Sequence, residues 1–406
     1  MSRTASNIIL LSQFFYPESA ATSQLLTDLA MDLRERGFSV LVYAGQPTYH
    51  GSQRLVGSEE HRGVQIRRLF STQFRKSFLL GRTLNWITFS ASVAMRLIFG
   101  RDHGSVVATT NPPFLPWVAW LGNVTRRRRY AIIVHDLYPD VAVKLAYIRE
   151  GNPLTRVWRL LNGMAFRRAG AVIVLGSSVR EEVFKQAGKR CLPVHIIHNW
   201  ADGTHIFPRA KRDNWFARDH GLEGRIVVLY SGNLGLAHDL ETLIEAADRL
   251  RVFPKLVLVF IGEGGKKAEL MALAQQRGLT NVLFLPHVPY VVLSYSLAVG
   301  DIGVVTLQKG LEGLSEPSKL YGYLAAGLAI LGLVGERSEV AQIIQRHGCG
   351  YRVDQGDVTG TVSALIRWME RPAEMQEMKE RARRCFEENY EKKRVLDKYA
   401  RVLWRL

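Results

Sequence analysis

The chain predicts an α/β fold of two domains, each a parallel sheet covered by helices on both faces. Two observations carry this. Short apolar runs without polar alternation recur between amphipathic helical stretches along the whole sequence, and strands that are apolar on both faces belong to buried parallel sheets. The length of 406 residues exceeds what one ordinary core holds, so two cores are expected.

Asn7 to Ser12 reads as the first buried strand, and the loop Gln13 to Thr22 follows it. A helix from about Ser23 to Arg36 sets Leu25, Leu26, Leu29, Ala30 and Leu33 on one face, the spacing of an amphipathic helix. Gly37 ends it, and Ser39 to Ala44 is the next strand. Val64–Leu69, Ser105–Thr109 and Tyr130–Val134 continue the sheet, and Ala171–Leu175 and Val194–Ile197 close it. Residues 199 to about 224 are mixed and polar and read as a linker. A second set of strands follows at Arg225–Tyr230, Leu256–Gly262, Val282–Leu285, Asp301–Leu307, Ala329–Leu333 and Gly350–Val353. From about Ala373 the chain is helical and heavily charged. The expected domains are 1–203 and 204–387, with a helix over 388–406 packing back on the first domain. Short internal repeats are absent.

Composition excludes several classes. Cys191, Cys349 and Cys385 are odd in number and far apart, which argues against a disulfide framework and for a reducing cytoplasm. No CxxC, HExxH or GxGxxG run occurs, so neither a metal site nor a dinucleotide cofactor is expected. Residues 1–7 are short and polar, unlike a signal peptide. The net charge of +17 is one-sided: residues 1–200 hold 26 Lys and Arg against 12 Asp and Glu, a net +14. Such a surface seeks a polyanion. Helix-turn-helix, RNP-like and zinc-finger signatures are all missing, so nucleic acid is disfavoured. Two segments favour an anionic membrane surface instead. Ser77 to Gly100 is apolar nearly all round with Trp86 and basic ends. Pro112 to Leu121 carries Trp117 and Trp120 and leads into Arg126–Arg129. Both are too broken or too short to span a bilayer but could lie in its interface, or simply cover the sheet.

Ligands of open α/β sheets bind beyond the carboxyl ends of strands, so the polar residues there are the candidates. Glu316-Pro317-Ser318-Lys319-Leu320 lies between two apolar strands and reads as a loop and a short helix opened by Pro317. The amides of its first turn suit an anion. Lys319 adds a charge, and Glu316 could accept hydrogen bonds from sugar hydroxyls. A diphosphate beside a sugar would use all three; a capped helix end with a surface lysine would use none. His135-Asp136, after the Tyr130–Val134 strand, could position a hydroxyl, or His135 could be a strand-end histidine satisfied by the backbone. Ser231-Gly232-Asn233-Leu234-Gly235 and Gly262-Glu263-Gly264 are glycine turns after two strands of the second set.

These motifs resemble the retaining family-4 glycosyltransferases. Glu316 to Gly327 is similar to their donor-binding helix, His135-Asp136-Leu137-Tyr138-Pro139 to their "HDLWP" segment, and Tyr230 to Leu240 to their "YSGNLGxxxxL" loop. Tyr16-Pro17-Glu18, Gln46 to His50 and His198-Asn199-Trp200-Ala201-Asp202 resemble the colanic-acid and N-acetylfucosaminyl transferase branch of bacterial polysaccharide assembly. The resemblance implies a GT-B fold, two Rossmann-like domains facing a central cleft. It implies a metal-independent, retaining hexosyltransferase without cofactor, taking a nucleoside diphosphate sugar as donor and a lipid-linked saccharide as acceptor. Its place would be the inner face of the cell membrane, as a peripheral cytoplasmic protein. Catalytic roles would fall on His135, Asp136 and Glu316, with Asp136 orienting His135. Donor contacts would fall on Gly232, Asn233, Gly235, His238, Gly262, Glu263, Ser318, Lys319 and Leu320. The acceptor side would use Tyr16, Ser19, Thr22 and Asp140. The sequence departs from the family at Leu236 to His238, where relatives carry a basic residue, so that His238 or Lys319 would share the phosphate contact. It departs again at Gly322, which replaces the second of two glutamates, while Glu312 and Glu316 flank the position of the first. The competing readings are a sugar-nucleotide epimerase of the same architecture and a non-catalytic membrane scaffold that kept the fold.

Overall fold

The computed structural model describes residues 6–18, 20–46, 57–74 and 79–406. Ser19 and 47–50, part of the Gln46–His50 loop, lie outside the described residues, as do Ser77 and Phe78. The chain divides into two compact units. Unit 1 is Met1–His198 with Leu314–Glu316 and Leu396–Leu406; unit 2 is Asn199–Gly313 with Pro317–Val395.

Unit 1 runs β1 (Asn7–Ser12), α1 (Ala21–Glu35), β2 (Ser39–Ala44), β3 (Ser58–His61), β4 (Val64–Arg68), α2 (Leu79–Phe99), β5 (Ser105–Thr109), α3 (Leu115–Arg126), β6 (Tyr130–Val134), α4 (Asp140–Lys144), α5 (Pro153–Arg168), β7 (Ala171–Val174), α6 (Ser177–Ala187) and β8 (Val194–Ile196). Its sheet has the order β3-β4-β2-β1-β5-β6-β7-β8, parallel except for β3. The strand β3 escapes sequence reading because Ser-Glu-Glu-His is polar throughout. An antiparallel edge strand needs little apolar side chain, since its partner β4 supplies the buried face.

Unit 2 runs α7 (Trp215–Asp219), β9 (Ile226–Ser231), α8 (Glu241–Arg249), β10 (Leu256–Ile261), α9 (Lys267–Gln276), β11 (Val282–Leu285), α10 (Tyr290–Leu297), β12 (Ile302–Thr306), α11 (Lys319–Ala325), β13 (Ala329–Leu333), α12 (Glu339–His347), β14 (Gly350–Val353), α13 (Val358–Glu370), α14 (Pro372–Asn389) and α15 (Lys392–Leu403), whose residues from Leu396 count with unit 1. The sheet order is β11-β10-β9-β12-β13-β14, all parallel. Its two faces are filled separately, one around Leu229, Val259, Leu324 and Phe386, the other around Leu243, Phe260, Leu331 and Trp368.

The expected linker over 199–224 is not a free tether. Phe216, Ala217 and Leu222 are buried in the core of unit 2. Asn214 caps α7, accepting from the Phe216 N–H at 3.0 Å, and donates to the Tyr295 carbonyl at 2.9 Å. A few apolar residues among polar ones suffice to seat a one-turn helix, and composition averages them away.

In both sheets the strand order reverses beside the first strand, between β1 and β5 and between β9 and β12. Crevices at such reversals are where doubly wound sheets bind ligands. Every candidate in unit 2 hangs from the carboxyl ends of β9, β10 and β12.

Candidate active site

Unit 2 builds its site from two laced loops and one lysine. After β9 the chain turns at Gly232, whose φ of +140° is open to glycine and costly for other residues. The Gly232 N–H donates to the Ile261 carbonyl at 2.9 Å, and the Leu234 N–H to the Glu263 carbonyl at 2.9 Å. The Lys266 N–H returns to the Leu234 carbonyl at 2.9 Å. This lacing leaves no room for side chains. A Cβ on Gly262 would stand 2.0 Å from the Gly232 carbonyl oxygen, and one on Gly264 2.4 Å from the Leu234 backbone.

Lys319, the first residue of α11, reaches this turn. Its Cε lies 3.4 Å from where a Gly232 Cβ would be. Its ammonium donates to the Tyr230 hydroxyl at 2.7 Å and sits 4.1 Å from the centre of that ring. The Tyr230 hydroxyl in turn donates to the Asn233 carbonyl at 2.7 Å. Burial pushes the Lys319 pKa down to about 7, because a desolvated ammonium is disfavoured. An arriving anion would restore its charge. Sequence reasoning missed Tyr230 as the group that fixes Lys319; the 89 residues between them hide the pair.

His238 is not a cationic phosphate contact. Its Nδ1 lies 2.8 Å from the Thr306 carbonyl, so Nδ1 carries the hydrogen and Nε2 is left as an acceptor. Burial, with the charge of Lys319 second, pushes its pKa to about 3. The Lys266 ammonium is buried beneath it, donating to the His238 carbonyl at 2.8 Å and pairing with Glu241 at 2.7 Å. The helix α11 starts at Lys319, two residues beyond Pro317, with Ser318 at its N-cap but no side-chain capping bond. Leu320 is 1% exposed, so its side chain belongs to the core. Asn233 and Glu263 are exposed, Glu263 pairing with Lys267 at 2.7 Å. Gly235 lies under the Asn233 amide, whose Nδ2 is 2.6 Å from a would-be Cβ. The Glu312 carboxylate accepts from the Gly310 N–H at 2.8 Å and the Gly335 N–H at 3.1 Å; it braces two loops. Gly322 is half-buried in α11 and faces Leu297.

Unit 1 places His135 and Asp136 at the end of β6. Both backbone N–H groups donate to Thr110 Oγ1, at 3.0 and 3.2 Å. His135 Nε2 is buried and makes no hydrogen bond within the protein, and burial pushes the pKa to about 4. The expected orientation of His135 by Asp136 is not what is found. The Asp136 carboxylate accepts from Ser315 Oγ at 2.5 Å, and the two backbones form a bridge. Burial raises the Asp136 pKa against the opposing Ser315 bond. Glu316, next to Ser315, accepts from Ser178 Oγ at 3.4 Å. Thr110, Ser315 and Ser178 therefore support the candidates, and none is visible as such in the sequence. Asp140 is committed to structure: Arg159 holds one oxygen at 2.9 Å and Gln186 the other. It ties α4 to α5 and α6. Tyr16 stacks on His61 with ring centres 3.7 Å apart, and Thr22 is in the first turn of α1. Among the described residues no group of three or more His, Cys, Asp or Glu could hold a metal ion.

Residues 22–200 match the glycosyl transferase 4-like domain and residues 211–385 the glycosyl transferases group 1 domain. Both units are glycosyltransferase domains, and the chain has the GT-B fold. "Probable glycosyltransferase WbjE" of Pseudomonas aeruginosa is 26% identical over 283 residues, 70% of each chain. WcaI of Escherichia coli strain K12, assigned to colanic acid biosynthesis, is 45% identical over 105 residues, 26% of each chain. Among solved structures, Anabaena Alr3699/HepE in complex with UDP superposes with a TM-score of 0.75 at 17% identity, covering 98% of this chain and 100% of its own. The same protein has been solved with UDP-glucose, at a TM-score of 0.74.

Proposed function

We propose that this GT-B protein is a retaining glycosyltransferase of surface-polysaccharide assembly, in the colanic-acid and N-acetylfucosaminyl transferase branch. It takes a sugar from a nucleoside diphosphate donor and passes it to a lipid-linked saccharide. The observation that carries the reading is Lys319, a lysine poised near neutrality on a glycine turn at the strand-order reversal of unit 2. HepE, of the same fold, holds UDP and UDP-glucose, which supports the donor class. The diphosphate would lie against Lys319, beside the Gly232 turn. The acceptor hydroxyl oxygen would bond to the anomeric carbon as the carbon–oxygen bond to the diphosphate breaks, its proton passing to the leaving diphosphate oxygen on the same face. Lys319 would stabilise the charge that develops there, and no protein nucleophile or metal is called for. His135, uncharged at neutral pH, would hold a hydroxyl through its unpartnered Nε2.

A panel of nucleotide sugars screened by thermal shift tests the donor, since a ligand of the folded state raises its stability by mass action. No shift with any nucleotide sugar would sink the reading. For the sugar nucleotide that binds, Lys319→Ala is expected to cost about 1.5–3 kcal/mol, on the order of tenfold or more in affinity. Wild-type binding should also weaken as pH rises above 7, where Lys319 loses its proton, and the variant should lack that dependence. His135→Ala should cut turnover while leaving donor affinity nearly unchanged; wild-type turnover would make His135 structural.

The acceptor reading asks for peripheral membrane contact on the cytoplasmic face. No helix among the described residues is long and apolar enough to cross a membrane. Of the Trp117/Trp120 pair, Trp117 packs on Phe114 and Trp158 and donates to Asn162 at 2.8 Å, and both rings are half-buried. More exposed are Leu80, Leu84, Ile87, Met95 and Phe99 along one side of α2, and Leu154, Val157 and Leu160 on α5. Co-sedimentation with anionic vesicles should fall with salt, since surface charges are screened within a Debye length. Changing Leu84, Ile87 and Met95 to serine should remove the salt-insensitive remainder. Equal partitioning to neutral and anionic vesicles, or none to either, would mean that the basic face serves something else, and the lipid-linked acceptor would lose its main physical support.

A further inference from the structure

Unit 1 carries a second concavity, lined by none of the residues assigned above to donor or acceptor. Lys398, Arg401 and Arg405 follow one another on α15 and the turn after it at spacings of three and four, which places them on one side. They share a cavity of about 490 Å³ with Arg180 of α6 and His195 of the edge strand β8. Five basic side chains thus line one space, and no carboxylate is among the lining residues. The nearby Glu181 approaches Arg180 only to 3.6 Å, and Arg180 Nε is buried without a hydrogen bond. Burial, with the charge of Arg405 second, lowers the pKa of His195, so the positive charge of the cavity rests on Arg180, Lys398, Arg401 and Arg405. Like charges gathered in a concave site are held against their own repulsion, which a bound anion would relieve. Two of the remaining walls are apolar, formed by Val194 and Ile196 on the strand and Val402 on the helix.

We propose that this cavity is a binding site for a phosphate group, seated on Arg180, Arg401 and Arg405 with its substituent along Val194, Ile196 and Val402. Guanidinium pairs bind phosphate oxygens in two-pronged fashion. The same chemistry reaches the cavity either from the headgroup of a membrane lipid or from a soluble phosphate ester. The cavity is lined by unit 1 and Lys319 belongs to unit 2, so it is tested independently of donor binding.

Calorimetry on the full chain with octyl phosphate, inorganic pyrophosphate and octyl glucoside tests it. Octyl phosphate should bind, and bind equally to Lys319→Ala, while octyl glucoside should not. The Arg401→Ser/Arg405→Ser double variant, changed at exposed positions, should weaken octyl phosphate at least tenfold, and Arg180→Gln, on a different element, should weaken it as well. Measured in Lys319→Ala, where the proposed diphosphate contact is gone, pyrophosphate binding as tightly as octyl phosphate assigns the site to a soluble phosphate; pyrophosphate binding tenfold more weakly assigns it to a lipid. Unchanged octyl phosphate affinity in both arginine variants, loss of binding in Lys319→Ala, or octyl glucoside binding as tightly as the phosphate would overturn the site.

Discussion

Stability should fall steeply between pH 6.5 and 4, before most carboxylates titrate. His135 in unit 1 and His238 in unit 2 have pKa values held down to about 4 and about 3, each chiefly by burial. In the unfolded chain both would titrate near 6.5. A histidine whose folded pKa is depressed binds fewer protons folded than unfolded, so stability is full above pH 6.5 and is lost as pH falls towards the folded pKa. Each costs about 1.4 kcal/mol per pH unit across that window, a few kcal/mol in all. His61, His195 and His347 are lowered too and act in the same direction. Asp136, raised by burial, works the other way and gains as pH falls. The depressed carboxylates Asp301 and Glu241 add their loss only below about pH 4.5. Denaturant unfolding at pH 7.5, 6 and 5 checks this, following the two units separately because two-domain chains need not unfold in one step. His238→Asn, which keeps a donor towards Thr306, should flatten the slope for unit 2 alone. Equal midpoints at pH 7.5 and 5 would show both histidines accepting protons in the folded state.

Much of the architecture was legible because it depends on local pattern. Runs such as Leu256–Ile261 are apolar on both faces and are found as buried parallel strands. Local pattern failed where tertiary partners decide. The strand Ser58–His61 is polar and exists because β4 pairs with it. Phe216 and Leu222 sit in a polar stretch and are buried all the same. The site was legible in its residue types and not in their states. Lys319 and His238 both look cationic in the sequence, yet burial holds one near neutrality and the other uncharged. Asp136 adjoins His135 in the chain, but its partner is Ser315, 179 residues away. Asp140 carries Arg159 and Gln186, partners 19 and 46 residues away in the chain. Burial and long-range partners set these properties, and neither is a property of a motif.

Gly262→Ala should be among the most damaging single-methyl changes in unit 2. The added Cβ would stand 2.0 Å from the Gly232 carbonyl oxygen, and φ here is +144°. Real Cβ atoms do not approach backbone oxygen so closely, and the conformation is strained for any side chain; strain of that kind costs about 1–3 kcal/mol before the clash is counted. Relief requires the two loops to part, which breaks the Gly232 N–H bond to Ile261 and the Leu234 N–H bond to Glu263. The effect should therefore be double. The unfolding midpoint of unit 2 should drop by several kcal/mol's worth of denaturant, about what large single-site losses reach. Nucleotide-sugar affinity should drop further than Lys319→Ala lowers it, because Lys319 rests on the turn that moves. Gly356→Ala is the control: its φ of +79° is also positive, but nothing lies within 4 Å of its added methyl. It should cost only the strain, and leave ligand affinity intact. If Gly262→Ala and Gly356→Ala destabilise unit 2 equally, backbone strain alone accounts for the loss, and the close approach of the two loops is not what Gly262 is there to permit.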